Sequence, residues 1–177
     1  MEKRNIPMVD LMGQYRKIKD QIDKNLIDCI ESGRLVNGPI VSDFCNNLSK
    51  YLDVKHVIPC ANGTDALQIA LMSLDLKPGD EIITSDFSFV ACVEVIALLK
   101  LNPVLVDVDL ETFNIDCNKV IKAITPNTKA IIPVHLFGLC ADVDALRDVV
   151  PANVVLIEDA ACATGAAYKG LPAGSLG

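Results

Sequence analysis

The feature that most constrains this chain is an alternation between short apolar runs and longer stretches of helical spacing. The runs His56–Pro59, Glu81–Thr84, Pro103–Val108, Ala130–Val134 and Val154–Ile157 read as buried strands. Between them, Asp65–Leu74, Val90–Leu99, Asn118–Ala123 and Val143–Val149 read as helices. Near-continuous apolar strands separated by helices predict an α/β fold with a mostly parallel sheet flanked by helices. Only a sheet covered on both faces buries such strands fully. The Asn62-Gly63 and Pro78-Gly79-Asp80 turns punctuate that pattern.

Upstream the pattern is helical throughout. Leu11, Tyr15, Ile18, Ile22, Leu26, Ile27 and Ile30 recur at helical spacing over 11–32. Gly33 and the Asn37-Gly38-Pro39 turn break the chain, and a second helix is expected over Ile40–Tyr51. The expected organisation is therefore an N-terminal helical segment, 1–53, followed by an α/β region, 54–177.

Composition removes several classes of function. A net charge of −7 disfavours a nucleic-acid or anionic-membrane partner, because phosphate backbones are bound by basic patches. The seven cysteines form no CxxC, and neither His56 nor His135 completes a zinc spacing, so no metal site is expected. Scattered thiols suit a reducing compartment, and Met1-Glu-Lys-Arg-Asn lacks the apolar core of a signal peptide. Phe89–Leu99, the most apolar stretch, contains Glu94 and is too short to span a bilayer, so the expectation is a cytoplasmic protein. The glycine-rich nucleotide loops, the zincin HExxH and the hydrolase GxSxG are all absent.

Ligands of open α/β sheets bind beyond the carboxyl ends of the strands, so the residues there are the candidates. Gly63 and Thr64 open a helix whose free N–H groups attract phosphate, although an ordinary helix cap is the commoner use of such residues. Asp159 ends a strand, where it either pairs with a protonated cofactor nitrogen or caps a turn. Phe87 and Phe89 share one side of an extended backbone and serve either as core or as a stacking surface. His135 reads more readily as a satisfied, half-buried histidine than as a ligand contact. Asp107 and Asp109 read as turn formers rather than a metal pair, since no third ligand is near.

Taken in order, the motifs resemble one family. They include Ile6-Pro-Met-Val-Asp-Leu, Ser32-Gly-Arg, Asn62-Gly-Thr-Asp-Ala-Leu, Pro78-Gly-Asp-Glu, Phe87-Ser-Phe-Val-Ala and Val106-Asp-Val-Asp. Thr112-Phe-Asn, Ile132-Pro-Val-His-Leu-Phe-Gly, Glu158-Asp-Ala-Ala and Tyr168-Lys-Gly follow. Each is weak alone, but in register they resemble the DegT/StrS sugar aminotransferases, enzymes of the fold-type I class that use pyridoxal 5'-phosphate (PLP).

The resemblance implies that Gly63 and Thr64, with the amide of Asp65, hold the cofactor phosphate. It implies that Phe89 stacks on the pyridine ring and that Asp159 pairs with the ring nitrogen. Cys162 stands where the family usually has a glutamine or histidine reaching the phenolic oxygen, and a thiol is a weak donor. The family's Schiff-base lysine is expected beyond Gly177. Lys169 belongs to an expected surface hairpin, so no catalytic residue is assigned within the chain. The chain thus resembles an incomplete large domain, without the remaining strands and the small C-terminal domain, and is not expected to transaminate alone. The complete protein is expected to be a homodimer that moves an amino group from an amino acid, glutamate as the expected donor, to a keto group of a nucleotide-linked sugar. The alternatives are a keto-sugar dehydratase with histidine at the missing position, or a non-catalytic truncated PLP-fold protein.

Overall fold

The computed structural model describes residues 8–177; the polar start Met1–Asn5 and the Ile6-Pro7 opening of the first motif lie outside them. Two compact units divide the chain, Met1–Leu48 and Ser49–Gly177. In the first, α1 (Leu11–Ser32) starts where the Asp10 carboxylate accepts the Gly13 amide and stops at Gly33, whose φ of 65° is left-handed. α2 (Pro39–Leu52), which runs past the unit boundary at Leu48, begins on a proline, whose fixed φ suits the first helical position.

The second unit is built on a parallel sheet. Its strands are β1 (Glu81–Ser85), β2 (Asn102–Val106), β3 (Thr128–Ile132) and β4 (Val155–Leu156), in the order β2-β1-β3-β4. The helices are α3 (Gly63–Met72), α4 (Ala91–Leu98), α5 (Cys117–Ala123) and α6 (Val143–Val149). An antiparallel hairpin of β5 (Ala167–Tyr168) and β6 (Leu171–Pro172) closes the unit.

Strand periodicity splits the core in two. Ile82, Ala130 and Ile132 join Leu67, Leu71, Cys92, Val95 and Ile96 of α3 and α4. Ile83 and Ile131, one residue out of phase, join Val120 of α5 and Leu146 of α6. Both faces of β1 and β3 are therefore dry, which is why neither strand shows polar alternation. Between them, the Thr84 hydroxyl donates to the Ile132 carbonyl at 3.0 Å.

One expected strand is corrected. His56–Pro59 joins no ladder, and Ile58 is 77% exposed. An apolar run becomes a strand only by pairing, and no described strand pairs with this one. At the other sheet edge, only Val155 and Leu156 of the expected Val154–Ile157 run count as β4. Backbone bonds nevertheless carry the line onward, from the Ile157 amide to the Ile131 carbonyl and from the Asp159 amide to the Pro133 carbonyl.

Candidate functional site

The strand order reverses between β1 and β3, since the chain leaves β1 toward β2 and then crosses back to β3 and β4. At such a switch point the connections diverge and leave a crevice beyond the strand ends. A cavity of about 340 Å³ lies there. Gly63, Thr64 and Leu67 line it from α3, Ser88 and Phe89 from the segment after β1, and Val134 and Leu136 from the segment after β3. Asp159, Ala161 and Cys162 complete the wall.

Each wall has a local cause. α3 begins at Asn62, whose side-chain oxygen accepts the Asp65 amide at 2.9 Å while its amide group donates to the Asp65 carboxylate at 3.0 Å. That closed cap consumes the Asp65 amide, and Asp65 does not line the cavity. The Gly63 and Thr64 amides, by contrast, meet no protein acceptor among the described residues. A Cβ built on Gly63 would meet nothing within 4 Å, so the backbone there faces open space.

The two phenylalanines separate. Phe87 packs against Phe113 with ring centroids 5.7 Å apart, and only Phe89 borders the cavity, 74% exposed. Between them, the Ser88 hydroxyl oxygen is buried with no hydrogen-bond partner, an unpaired polar group on the cavity wall.

Asp159 is held on both sides. Its backbone bonds to Pro133 and His135, and one carboxylate oxygen accepts the Ala161 amide at 3.0 Å. The other oxygen lies 3.4 Å from the Cys92 thiol. Burial first, and then the charge and hydrogen bond of Asp159, push the Cys92 pKa up to about 12, so the thiol stays protonated and donates.

The remaining candidates take structural places. His135 is fully buried; it accepts the Ala141 amide on Nδ1 at 3.0 Å and faces Glu158 through Nε2 at 2.8 Å. The Asp109 carboxylate accepts from the Glu111 and Thr112 amides and the Thr112 hydroxyl, closing a turn and lowering its pKa. Asp107 pairs with Lys119 at 3.5 Å. Lys169 lies in the β5–β6 hairpin, outside the cavity, bonded to Asp144 at 2.6 Å.

Ser88, Cys92 and Glu158 were not singled out by sequence reasoning. Ser88 carried one available signal, its place between two aromatic residues at a strand end.

A parallel sheet with a cavity at its switch point, bordered by a helix N-terminus, an aromatic face and a carboxylate, defines a cofactor-binding α/β protein. The chain belongs to the DegT/DnrJ/EryC1/StrS aminotransferase family, which matches residues 16–177. The UDP-2-acetamido-2-deoxy-3-oxo-D-glucuronate aminotransferase of Pseudomonas aeruginosa is 46% identical over 166 residues, covering 93% of this chain and 46% of that protein. The crystal structure of DesV from S. venezuelae shares 34% identity at a TM-score of 0.93, over 96% of this chain and 46% of DesV. NtdA from Bacillus subtilis, solved with bound cofactor PMP, shares 35% identity at a TM-score of 0.83, over 98% of this chain and 41% of NtdA. The chain spans about half the length of the curated relatives it matches. Among the described residues, no helix is long and apolar enough to cross a membrane.

Proposed function

We propose that this chain forms the cofactor-binding part of a PLP-dependent sugar aminotransferase. In this reading the complete protein is a cytoplasmic homodimer that transfers an amino group from an amino acid, glutamate in the first instance, to a keto group of a nucleotide-linked sugar. The observation that carries it is the convergence of Gly63, Thr64, Phe89, Asp159 and Cys162 on one cavity.

The residues fit the group. Unpaired amides at the start of α3, beside open space at Gly63, suit a phosphate dianion, and the Thr64 hydroxyl adds a donor. The exposed ring of Phe89 offers a flat apolar face to a pyridine ring. The orphaned Ser88 hydroxyl supplies one further polar contact. When bound, PLP supplies an electron-withdrawing pyridinium that lets an amino group pass between an amino acid and a carbonyl.

Asp159 would pair with the ring nitrogen and keep it protonated, and the contacts of its two oxygens with the Ala161 amide and the Cys92 thiol fix the carboxylate's rotation. Cys162, as a weak thiol donor, gives the phenolic oxygen little support. Asp65 holds the cap closed and so keeps the two preceding amides aimed outward. Large exposed side chains such as Ile58, Leu110 and Phe137 support a further interface.

The test is titration of the complete protein with PLP, followed by absorbance, and then addition of glutamate. The expected result is binding that weakens by at least about tenfold in Asp159→Ala, roughly 1.4 kcal/mol, with conversion to the amino form by glutamate. Failure of the unaltered protein to bind PLP would sink the reading; removal of a sugar hydroxyl in place of amino transfer would favour the dehydratase.

A further inference from the structure

Glu158 precedes Asp159 and is almost as deeply buried as His135, with side chains 6% and 0% exposed. One buried carboxylate takes three donors. Oε1 accepts from His135 Nε2 at 2.8 Å and from the Gly174 amide at 2.5 Å, and Oε2 accepts from the Leu176 amide at 2.7 Å. Because His135 Nδ1 accepts the Ala141 amide, Nε2 carries a ring proton and donates it to Glu158. Burial pushes the Glu158 pKa up, but the bonds from His135, Gly174 and Leu176 outweigh it and hold the group below its ordinary value.

The far side of the segment is held too. The Leu176 carbonyl accepts from the Arg147 guanidinium, and the Ser175 amide and hydroxyl both reach the Pro172 carbonyl. The His135 backbone amide meanwhile donates to the Asp159 carbonyl at 2.9 Å. His135 therefore ties down both members of the Glu158–Asp159 pair, one through its ring and the other through its backbone.

We propose that Glu158 is a positioning residue, a buried latch that couples the order of Gly174–Leu176 to the cavity wall carrying Asp159. The latch explains why a carboxylate is held largely out of solvent beside the His135 donor: charge-assisted bonds to two backbone amides fix a loop more firmly than an apolar contact. This rests on the reading of the Asp159 cavity as a cofactor site. Coupling is reciprocal, so PLP that tightens the cavity wall must also quieten the latched segment.

The experiment is amide hydrogen exchange on the complete protein, with and without PLP, alongside PLP affinity. PLP is expected to slow exchange at Gly174 and Leu176 in the unaltered protein. Glu158→Gln sets an NH2 group against a donor; exchange at both amides should rise about tenfold or more, and PLP should bind about tenfold more weakly. His135→Gln retains a donor and leaves Glu158 in place, so its effects should be smaller and in the same direction. Should Glu158→Gln fail to fold, the PLP-dependent protection in the unaltered protein and the His135→Gln result decide. PLP binding without protection at Gly174 and Leu176 overturns the coupling while leaving the cofactor site intact. Unchanged exchange in Glu158→Gln overturns the latch. Absence of PLP binding in the unaltered protein overturns the cofactor reading instead, and the variant's exchange still decides the latch.

Discussion

Cys92 offers the sharpest test of the site's electrostatics, because its chemistry depends on both burial and Asp159. Its pKa rises from 9.0 to about 12. At pH 8 an ordinary thiol is about 10% thiolate, whereas one at 12 is about 0.01%, roughly a thousandfold less. The more basic thiolate recovers about thirtyfold through its greater nucleophilicity, which leaves a deficit of about thirtyfold. Burial widens it, since Cys92 is 1% exposed while Cys60 and Cys162 are open to solvent. Iodoacetamide labelling of the native protein at pH 8, resolved by peptide mass spectrometry, should modify Cys60 and Cys162 first and Cys92 at least about thirtyfold later. Asp159→Asn should quicken Cys92 without bringing it level with Cys60, because burial is the larger cause. A group whose folded pKa is raised contributes stability that is complete below its unfolded value. That contribution should therefore fade as pH climbs from 9 toward 12, and Cys92→Ala should remove this alkaline limb. Labelling of Cys92 within about threefold of Cys60 in native protein, or no response to Asp159→Asn, would refute the reasoning.

Four further outcomes are expected. Asn62→Ala removes the α3 cap and should cost about 1 kcal/mol in urea unfolding. Ile131→Ala empties part of the core against α5 and α6 and should cost about 2–5 kcal/mol, whereas Ile121→Ala, half-exposed on α5, should cost well under that; equal costs would contradict the packing. Glu158 has a lowered folded pKa, so its contribution is complete above its ordinary value of 4.5 and is lost as pH falls through the folded value; Glu158→Gln should flatten that acid limb in urea midpoints. PLP should shield Cys162, on the cavity wall, from iodoacetamide and leave Cys60 labelling unchanged.

The layers of the fold were legible because each side of the sheet leaves its own period. The out-of-phase Ile82/Ile83 and Ile131/Ile132 pairs read as continuous apolar runs, which only a doubly covered sheet accommodates. The helical run over 11–32 and the helix opened by Gly63 and Thr64 were legible from spacing, whereas the capping roles of Asp10 and Asn62 emerge only in the fold. His56–Pro59 misled because composition reports burial tendency, and pairing needs a partner that composition does not name. Strand ends and a helix start nominated Gly63, Thr64, Phe89 and Asp159 as candidates, the resemblance alone implied their roles, and the fold brings the four to one cavity wall. Cys92 and Glu158 were not legible, since their partners lie 67 and 16–23 residues away in sequence.

The adjacent carboxylates Glu158 and Asp159 show why such a site resists reading from sequence. Both close the same strand line, and by pattern alone either reads as a strand-end acid. Extended backbone sends consecutive side chains to opposite sides, so the two must meet different surroundings. That rule separates them without saying which faces a ligand. The partners decide it. Three of the roughly four lone-pair sites of Glu158 are taken by His135 and two backbone amides, and Glu158 does not line the cavity that Asp159 borders. Asp159 holds one amide and one weak thiol donor and keeps acceptor capacity beside the cavity. A carboxylate with most of its acceptor sites taken by the protein supports structure, and one that keeps more of them free at a cavity wall is available for binding. Hydrogen-bond accounting therefore separates two acids that the sequence pattern leaves equivalent.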